Sequence, residues 1–188
     1  MIIIGITGTL GAGKGTIVEY LTKNKGFKHF SVRGLLTEML LKENKEVNRD
    51  TMVELANKLR AEFGPNYLAV TLLKQAQLSK ENAIIESLRT PAEIESLRDN
   101  GKFYLFAVDA EPNIRYERIT QRASETDKVT FEEFLSNEER EMENQDPNKQ
   151  NLGKCILMAD FKFDNNDNIE SLYEKVEKTI EEIEKQNS

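Results

Sequence analysis

The chain opens on an apolar run over residues 1–7, then a glycine-rich stretch, then Ile17, Val18 and Leu21 at helical spacing. That order predicts a buried strand, a loop and a helix reaching about Lys25, where Gly26 suits the position just past the end. Residues 27–32 alternate well enough for a second strand. Residues 33–41 return to a helical period and 42–49 are polar. From about Thr51, the residues Met52, Leu55, Ala56, Leu59 and Phe63 mark one face of a helix that Gly64-Pro65 ends. A further helix covers about 67–78. Residues 82–86 form a short apolar run closing on Glu86, the pattern of a parallel strand buried on both faces. Thr90-Pro91-Ala92-Glu93 has capping-box spacing with proline at the first helical position, and the helix it starts ends at Asn100-Gly101.

Residues 102–109 are the clearest strand, and Pro112 opens a helix that carries Arg115, Arg118 and Arg122. Residues 124–128 are polar and read as a loop. Thr130-Phe131-Glu132-Glu133 repeats the capping-box spacing and starts a charged helix to about Asn144. Residues 146–153 read as a loop, 155–158 as a short apolar stretch, 161–163 as a last strand and 164–168 as a turn. Ile169, Leu172, Tyr173, Val176, Ile180 and Ile183 mark a closing amphipathic helix. Strands alternating with helices predict an α/β fold, a five-stranded parallel sheet covered on both faces.

Bulk properties narrow the setting. A length of 188 residues suits one domain, 1–188, with a full-sized core. No run is long enough to span a bilayer, and residues 1–4 are too short and lack the basic flank of a secretion signal. The single cysteine, Cys155, excludes an internal disulfide and fits a reducing cytoplasm; it reads as a small buried hydrophobe. A net charge of −7 argues against nonspecific binding to nucleic acid or an anionic membrane. A polyanionic ligand must therefore meet local clusters of arginine and lysine. His29, the one histidine, has no second histidine or nearby cysteine and reads as a surface strand residue rather than a metal ligand.

The stretch Gly8-Thr9-Leu10-Gly11-Ala12-Gly13-Lys14-Gly15-Thr16 carries the most specific chemistry. Glycines let successive backbone N–H groups turn toward an anion, and the helix N-terminus adds positive potential. Lys14 supplies a mobile cation for the outer phosphates. The alternative is a glycine turn that merely joins strand to helix. Gly15 stands where the P-loop pattern usually has a magnesium-binding Ser or Thr, so Thr16 becomes the candidate hydroxyl. Glu86, an acid at the end of a buried strand, can hold magnesium directly or through water; capping the next helix is its alternative use.

In this form, Gly-x-x-Gly-x-Gly-Lys-Gly-Thr, the loop resembles adenylate kinase and the wider P-loop nucleoside-monophosphate kinases. The resemblance implies a three-layer P-loop NTPase fold with a helical acceptor-binding insertion, 33–80, and a short lid, 123–144. Glu86-Ser87-Leu88-Arg89-Thr90 resembles the family's Asp-Gly-Phe-Pro-Arg-Thr segment, one residue shorter and without the glycine, which implies that Arg89 binds the acceptor phosphate. Arg118 and Arg122 resemble the Arg-x-x-x-Arg that precedes the lid. That implies Arg118 against the adenine of ATP and Arg122 on its phosphates; an ion-paired surface helix is the alternative. Arg140 resembles a lid arginine that swings in on closure, although glutamates at 132, 133, 138, 139 and 141 offer it surface partners. A lid without paired cysteines excludes pinning by zinc.

On the acceptor side, Thr37 stands where the family has an arginine, with Arg33, Arg49 and Arg60 as substitutes in the region. Met158-Ala159-Asp160-Phe161 followed by Asn165-Asn166 also resembles dephospho-coenzyme-A kinases. Together these residues imply transfer from ATP, with magnesium, to a small nucleotide such as a nucleoside monophosphate or deoxynucleotide. Lys14, Arg89, Arg122 and Arg140 would be catalytic, and Gly8, Gly11, Ala12, Gly13, Lys14, Gly15, Thr16 and Arg118 would bind ATP. Thr16 and Glu86 would hold the metal. Dephospho-coenzyme A is the alternative acceptor, and an ATP-binding sensor without transfer activity is the alternative of a different class. Neither Asp-x-x-Gly nor Asn-Lys-x-Asp occurs, which argues against a GTPase switch. Length and the lack of a second helical domain count against an AAA-type motor.

Overall fold

The computed structural model describes residues 1–100, 102–122, 129–146 and 149–187. In chain order the elements are β1 (Ile3–Gly8), α1 (Lys14–Lys25), β2 (Lys28–Ser31), α2 (Val32–Lys42), α3 (Arg49–Phe63), α4 (Tyr67–Ser79) and β3 (Ala83–Glu86). There follow α5 (Pro91–Arg98), β4 (Phe103–Asp109), α6 (Pro112–Arg122), α7 (Phe131–Met142), α8 (Leu152–Leu157), β5 (Phe161–Asp164) and α9 (Ile169–Asn187).

β1 is buried along its whole length, because its isoleucines find a core on each side. Ile4 and Ile6 point to one face, where they meet Ile17 and Leu21 of α1 and Val176 and Ile180 of α9. Ile3 points to the other, with Leu68 and Leu72 of α4, Ile94 and Leu97 of α5, and Cys155 of α8. Between them Gly5 leaves room for a neighbouring ring, since a Cβ there would stand 2.6 Å from Phe103. The result is three layers, helix on sheet on helix.

The sheet runs β2-β3-β1-β4-β5, and every pairing is parallel. Strand order reverses direction around β1 and β3. In open parallel sheets that reversal leaves a crevice beyond the carboxyl ends of the strands. Gly8, Glu86 and Asp109, the last residues of β1, β3 and β4, all lie at that edge.

Both capping boxes form. The Thr90 and Thr130 side chains accept from the amides of Glu93 and Glu133, and each glutamate returns the bond to its cap. One segment differs from the sequence reading. Residues 146–153 and 155–158 were expected to be a loop and an apolar stretch, yet Leu152–Leu157 is helical, with the Asn151 side chain accepting from the Lys154 amide. Six residues are too few to display a helical period, so burial of Leu152 and Cys155 decides the conformation. Of the segment 123–144, residues 123–128 lie outside the described residues and α7 makes up most of the remainder. Among the described residues, no helix is long and apolar enough to cross a membrane.

Candidate functional site

The loop after β1 takes backbone angles that glycine tolerates and other residues avoid. Gly8, Gly11 and Gly13 have φ of +140°, +80° and +110°. A Cβ on Gly8 would stand 2.1 Å from the Val108 carbonyl oxygen, and one on Gly13 would stand 2.3 Å from Asn165 Nδ2. The side chain of Asn165, from the turn after β5, donates to the Ala12 carbonyl at 2.7 Å and so braces the loop from behind. Gly15 faces open space, with nothing within 4 Å of where its Cβ would be.

Helix α1 starts at Lys14 with Gly13 as its cap and no side chain closing the end. The amides of Thr16 and Ile17 return to the Gly13 carbonyl. Those of Gly13, Lys14 and Gly15 find no acceptor among the described residues. Three donors at a helix N-terminus, beside open space, make an anion cradle. Lys14 Nζ folds back over the cradle to the carbonyls of Gly8 and Thr9, each at 2.8 Å. Burial, and then the nearby Arg89 cation, bring the Lys14 ammonium down to about 8 from its ordinary 10.5.

Glu86 sits beside this cradle. β1 and β3 pair so that Ile6 faces Glu86, and the chain then turns sharply at Ser87, whose φ is +72°. Thr7 Oγ1 donates to the Leu88 carbonyl at 2.8 Å, tying the turn to the end of β1. His29, one strand over, shares a hydrogen bond of 3.0 Å between Nε2 and Glu86 Oε2. Burial pushes the Glu86 carboxyl up, but the His29 hydrogen bond and the Lys14 charge outweigh it and hold the group below the ordinary carboxylate value. His29 is thus on a strand near the surface, as expected, but also part of the site. Only the adjacency of β2 and β3 brings it there.

A single cleft of about 860 Å³ joins these groups. One end holds the loop, Arg118, Ile119, Arg122, Asn165 and Ile169; the other is walled by Val32, Arg33, Leu36, Met52, Val53, Ala56 and Arg60. Glu86, Arg89, Glu141 and Gln150 lie along it as well. Arg89 Nη1 donates to Glu141 Oε2 at 2.6 Å and Gln150 Oε1 at 2.7 Å, which ties it to α7 and the segment beyond. Arg118 Nη2 reaches the Asp167 carbonyl at 3.5 Å, while its Nη1 is buried without a hydrogen-bond partner among the described residues. Arg140 is not in the cleft. It bonds within its own helix to Ser136 and Asn137 and lines a separate shallow depression with Glu132 and Glu133.

The residues that sequence reasoning passed over are pairing partners. Glu141 and Glu138, one turn apart on α7, were read as surface companions of Arg140; they bind Arg89 and Arg115 instead. Their spacing of three placed them on one helix face, but nothing local named their distant partners. Cys155 is buried, and burial pushes its thiol up to about 12, which leaves it unreactive.

A parallel sheet, a glycine cradle at the first helix and one cleft across the strand ends define a P-loop protein of the kinase-like kind. The chain belongs to the AAA domain family, whose model matches residues 4–145, and to the UPF0200 proteins. The UPF0200 protein of Sulfurisphaera tokodaii is 31% identical over 182 residues, covering 96% of this chain and 97% of that protein. Among solved structures, a gluconokinase from Sinorhizobium meliloti is similar with a TM-score of 0.61 at 12% identity, over 100% of this chain and 98% of that one. A dephospho-CoA kinase from Campylobacter jejuni is similar with a TM-score of 0.58 at 19% identity, over 99% and 98%. At such identities these two likenesses establish the fold.

Proposed function

We propose that the protein transfers the γ-phosphoryl group of ATP to a small phosphorylated acceptor. The observation that carries this reading is the set of three amides, Gly13, Lys14 and Gly15, that find no acceptor among the described residues, beside Lys14 Nζ in a cleft of about 860 Å³.

The residues present suit a triphosphate. The amides donate to its oxygens, and Lys14 leaves the Gly8 and Thr9 carbonyls to meet the outer phosphates. The buried Arg118 Nη1 supplies an unspent donor at the nucleoside end. Thr16 and Glu86 would hold magnesium. A carboxylate and a hydroxyl are hard oxygen donors of the kind that magnesium takes. A magnesium ion held there would supply positive charge against the phosphates.

In the reaction an acceptor oxygen bonds to the γ-phosphorus as the bond from that phosphorus to the β–γ bridging oxygen breaks, and ADP leaves. Charge building on the outgoing phosphate is met by Lys14 and Arg122, and Arg89 meets the acceptor. Arg89 must first exchange Glu141 for the acceptor's anion. Helix α7, as part of a lid over 123–144, would exclude water and bring Arg140 inward as it closes. The helices of 33–80 would receive the acceptor.

A panel of nucleoside monophosphates and dephospho-coenzyme A, each with ATP and magnesium, tests the reading. We expect ADP and a phosphorylated product from at least one acceptor. ATP binding without product from any of them would overturn the transfer assignment in favour of a nucleotide-binding sensor.

A further inference from the structure

Glu86 closes β3 beside the cradle, and the side chain that holds it by a hydrogen bond is His29 of β2. In the register of these strands Ser31 stands level with Glu86 and His29 level with Ile84. His29 and Glu86 therefore lie on one face of the sheet, two positions apart along it. β2 is an edge strand whose residues are exposed or half-buried, and the imidazole is no part of either apolar core. It is nevertheless only 35% exposed, and it lines the cleft together with Glu86.

The direction of the bond follows from charge. Glu86 is held below the ordinary carboxylate value, so it is ionised near neutral pH and its oxygens only accept. Nε2 must then carry the proton, and it donates to Oε2 at 3.0 Å. Oε1 is left outside that bond. Lys14 and Arg89 also act on the carboxylate, but through charge alone. Both are long cations, and a carboxylate free to turn would fall onto one of them as an ion pair. Magnesium would then have to displace that cation to use the same oxygens. The freedom to turn is larger here than in the resembled segment, because glutamate has one more rotatable bond than the aspartate it replaces.

We propose that His29 is a positioning residue: its Nε2–H holds Glu86 Oε2 and so keeps the carboxylate available to a magnesium ion bound with ATP. His29 does not touch the metal. The inference rests on the reading of Glu86 as a magnesium-holding group, and it is tested by binding rather than turnover. Metal-ligating carboxylates depend on such hydrogen-bonded partners, whose loss weakens metal binding by about 10- to 100-fold.

The test is calorimetric titration of a non-hydrolysable ATP analogue, once with magnesium and once with EDTA. The ratio of the two Kd values is the gain that magnesium gives, and it cancels any change in fold or nucleotide contact common to both. H29F, which keeps a flat ring suited to a strand, should cut the gain by about tenfold. H29Q should keep it, since the glutamine amide nitrogen lies as many bonds from the backbone as Nε2 and donates without a positive charge. E86Q should cut the gain at least as far as H29F. The double variant H29F/E86Q should be no weaker than E86Q, because His29 acts through Glu86. A full gain in H29F, a gain lost in H29Q as in H29F, or a further loss in the double variant would overturn the assignment. So would a wild type without any gain, or a gain that survives in E86Q. The expected pattern without product from any acceptor would leave the positioning role standing and remove only the phosphotransfer reading. Product formation with a full gain in H29F would do the reverse.

Discussion

Lys14→Ala is expected to lower ATP-dependent transfer by about 10²–10³, the usual loss when one transition-state donor is removed. The ammonium is already in the cradle, 2.8 Å from two carbonyls of the loop, so it needs only to swing outward to meet a phosphate. The same residue sets a pH dependence. Burial and Arg89 bring its ammonium to about 8 in the free protein, and a bound triphosphate would raise it again. Binding then takes up a proton wherever the free protein has lost it. ATP affinity is therefore full below pH 8 and falls as pH rises above it, by about tenfold per unit until the bound group also deprotonates. K14A should abolish that dependence between pH 8 and 9, and its fold should be at least as stable at neutral pH, where the wild type holds a desolvated cation. Near-normal transfer by K14A, or an affinity flat from pH 7 to 9 in the wild type, would count against the role.

Arg115→Ala is expected to destabilise the fold by about 3 kcal/mol, the lower end of the range for breaking a buried ion pair. Arg115 was visible in the sequence only as one of three arginines on α6. Its side chain is 3% exposed and holds three parts of the molecule together. Nε donates to the Ala110 carbonyl at 2.6 Å and Nη1 to Leu10 of the loop at 3.4 Å. Both terminal nitrogens grip the Glu138 carboxylate of α7, and the guanidinium stacks 5.3 Å from the Phe134 ring centre. The alanine variant leaves Glu138 partly buried without its cation. Because Glu138 retains 18% exposure, the loss should sit at the low end of the range. Urea unfolding measures it, and R115M/E138Q should recover more than half of the deficit by removing both charges. ATP affinity should also fall in R115A, since the Leu10 carbonyl loses an anchor. A loss below about 1 kcal/mol would mean that α7 is not held through this pair.

How far the sequence carried the reading depends on the range over which each signal acts. β1, the glycine loop and α1 were legible because a buried strand, positive-φ positions and a helical period lie within one short stretch. α9 was legible from Leu172, Val176, Ile180 and Ile183, which are spaced for one buried face and do form it. Glu86 was legible as an acid closing a short apolar run. α8 was not, because six mostly apolar residues show neither period nor alternation. The ion pairs were not legible either. Arg115 meets Glu138 across 23 positions and Arg89 meets Glu141 across 52, distances at which neither spacing nor composition selects a partner. Arg33, Arg49 and Arg60 were indistinguishable as acceptor-side cations; in the structure Arg60 is buried in an ion pair with Glu93.

The most direct test is a crystal structure with a non-hydrolysable ATP analogue and magnesium. The triphosphate should accept from the amides of Gly13, Lys14 and Gly15, with Lys14 Nζ moved from the Gly8 and Thr9 carbonyls onto phosphate oxygens. Nucleotide bound elsewhere, with Nζ still on those carbonyls, would contradict the account.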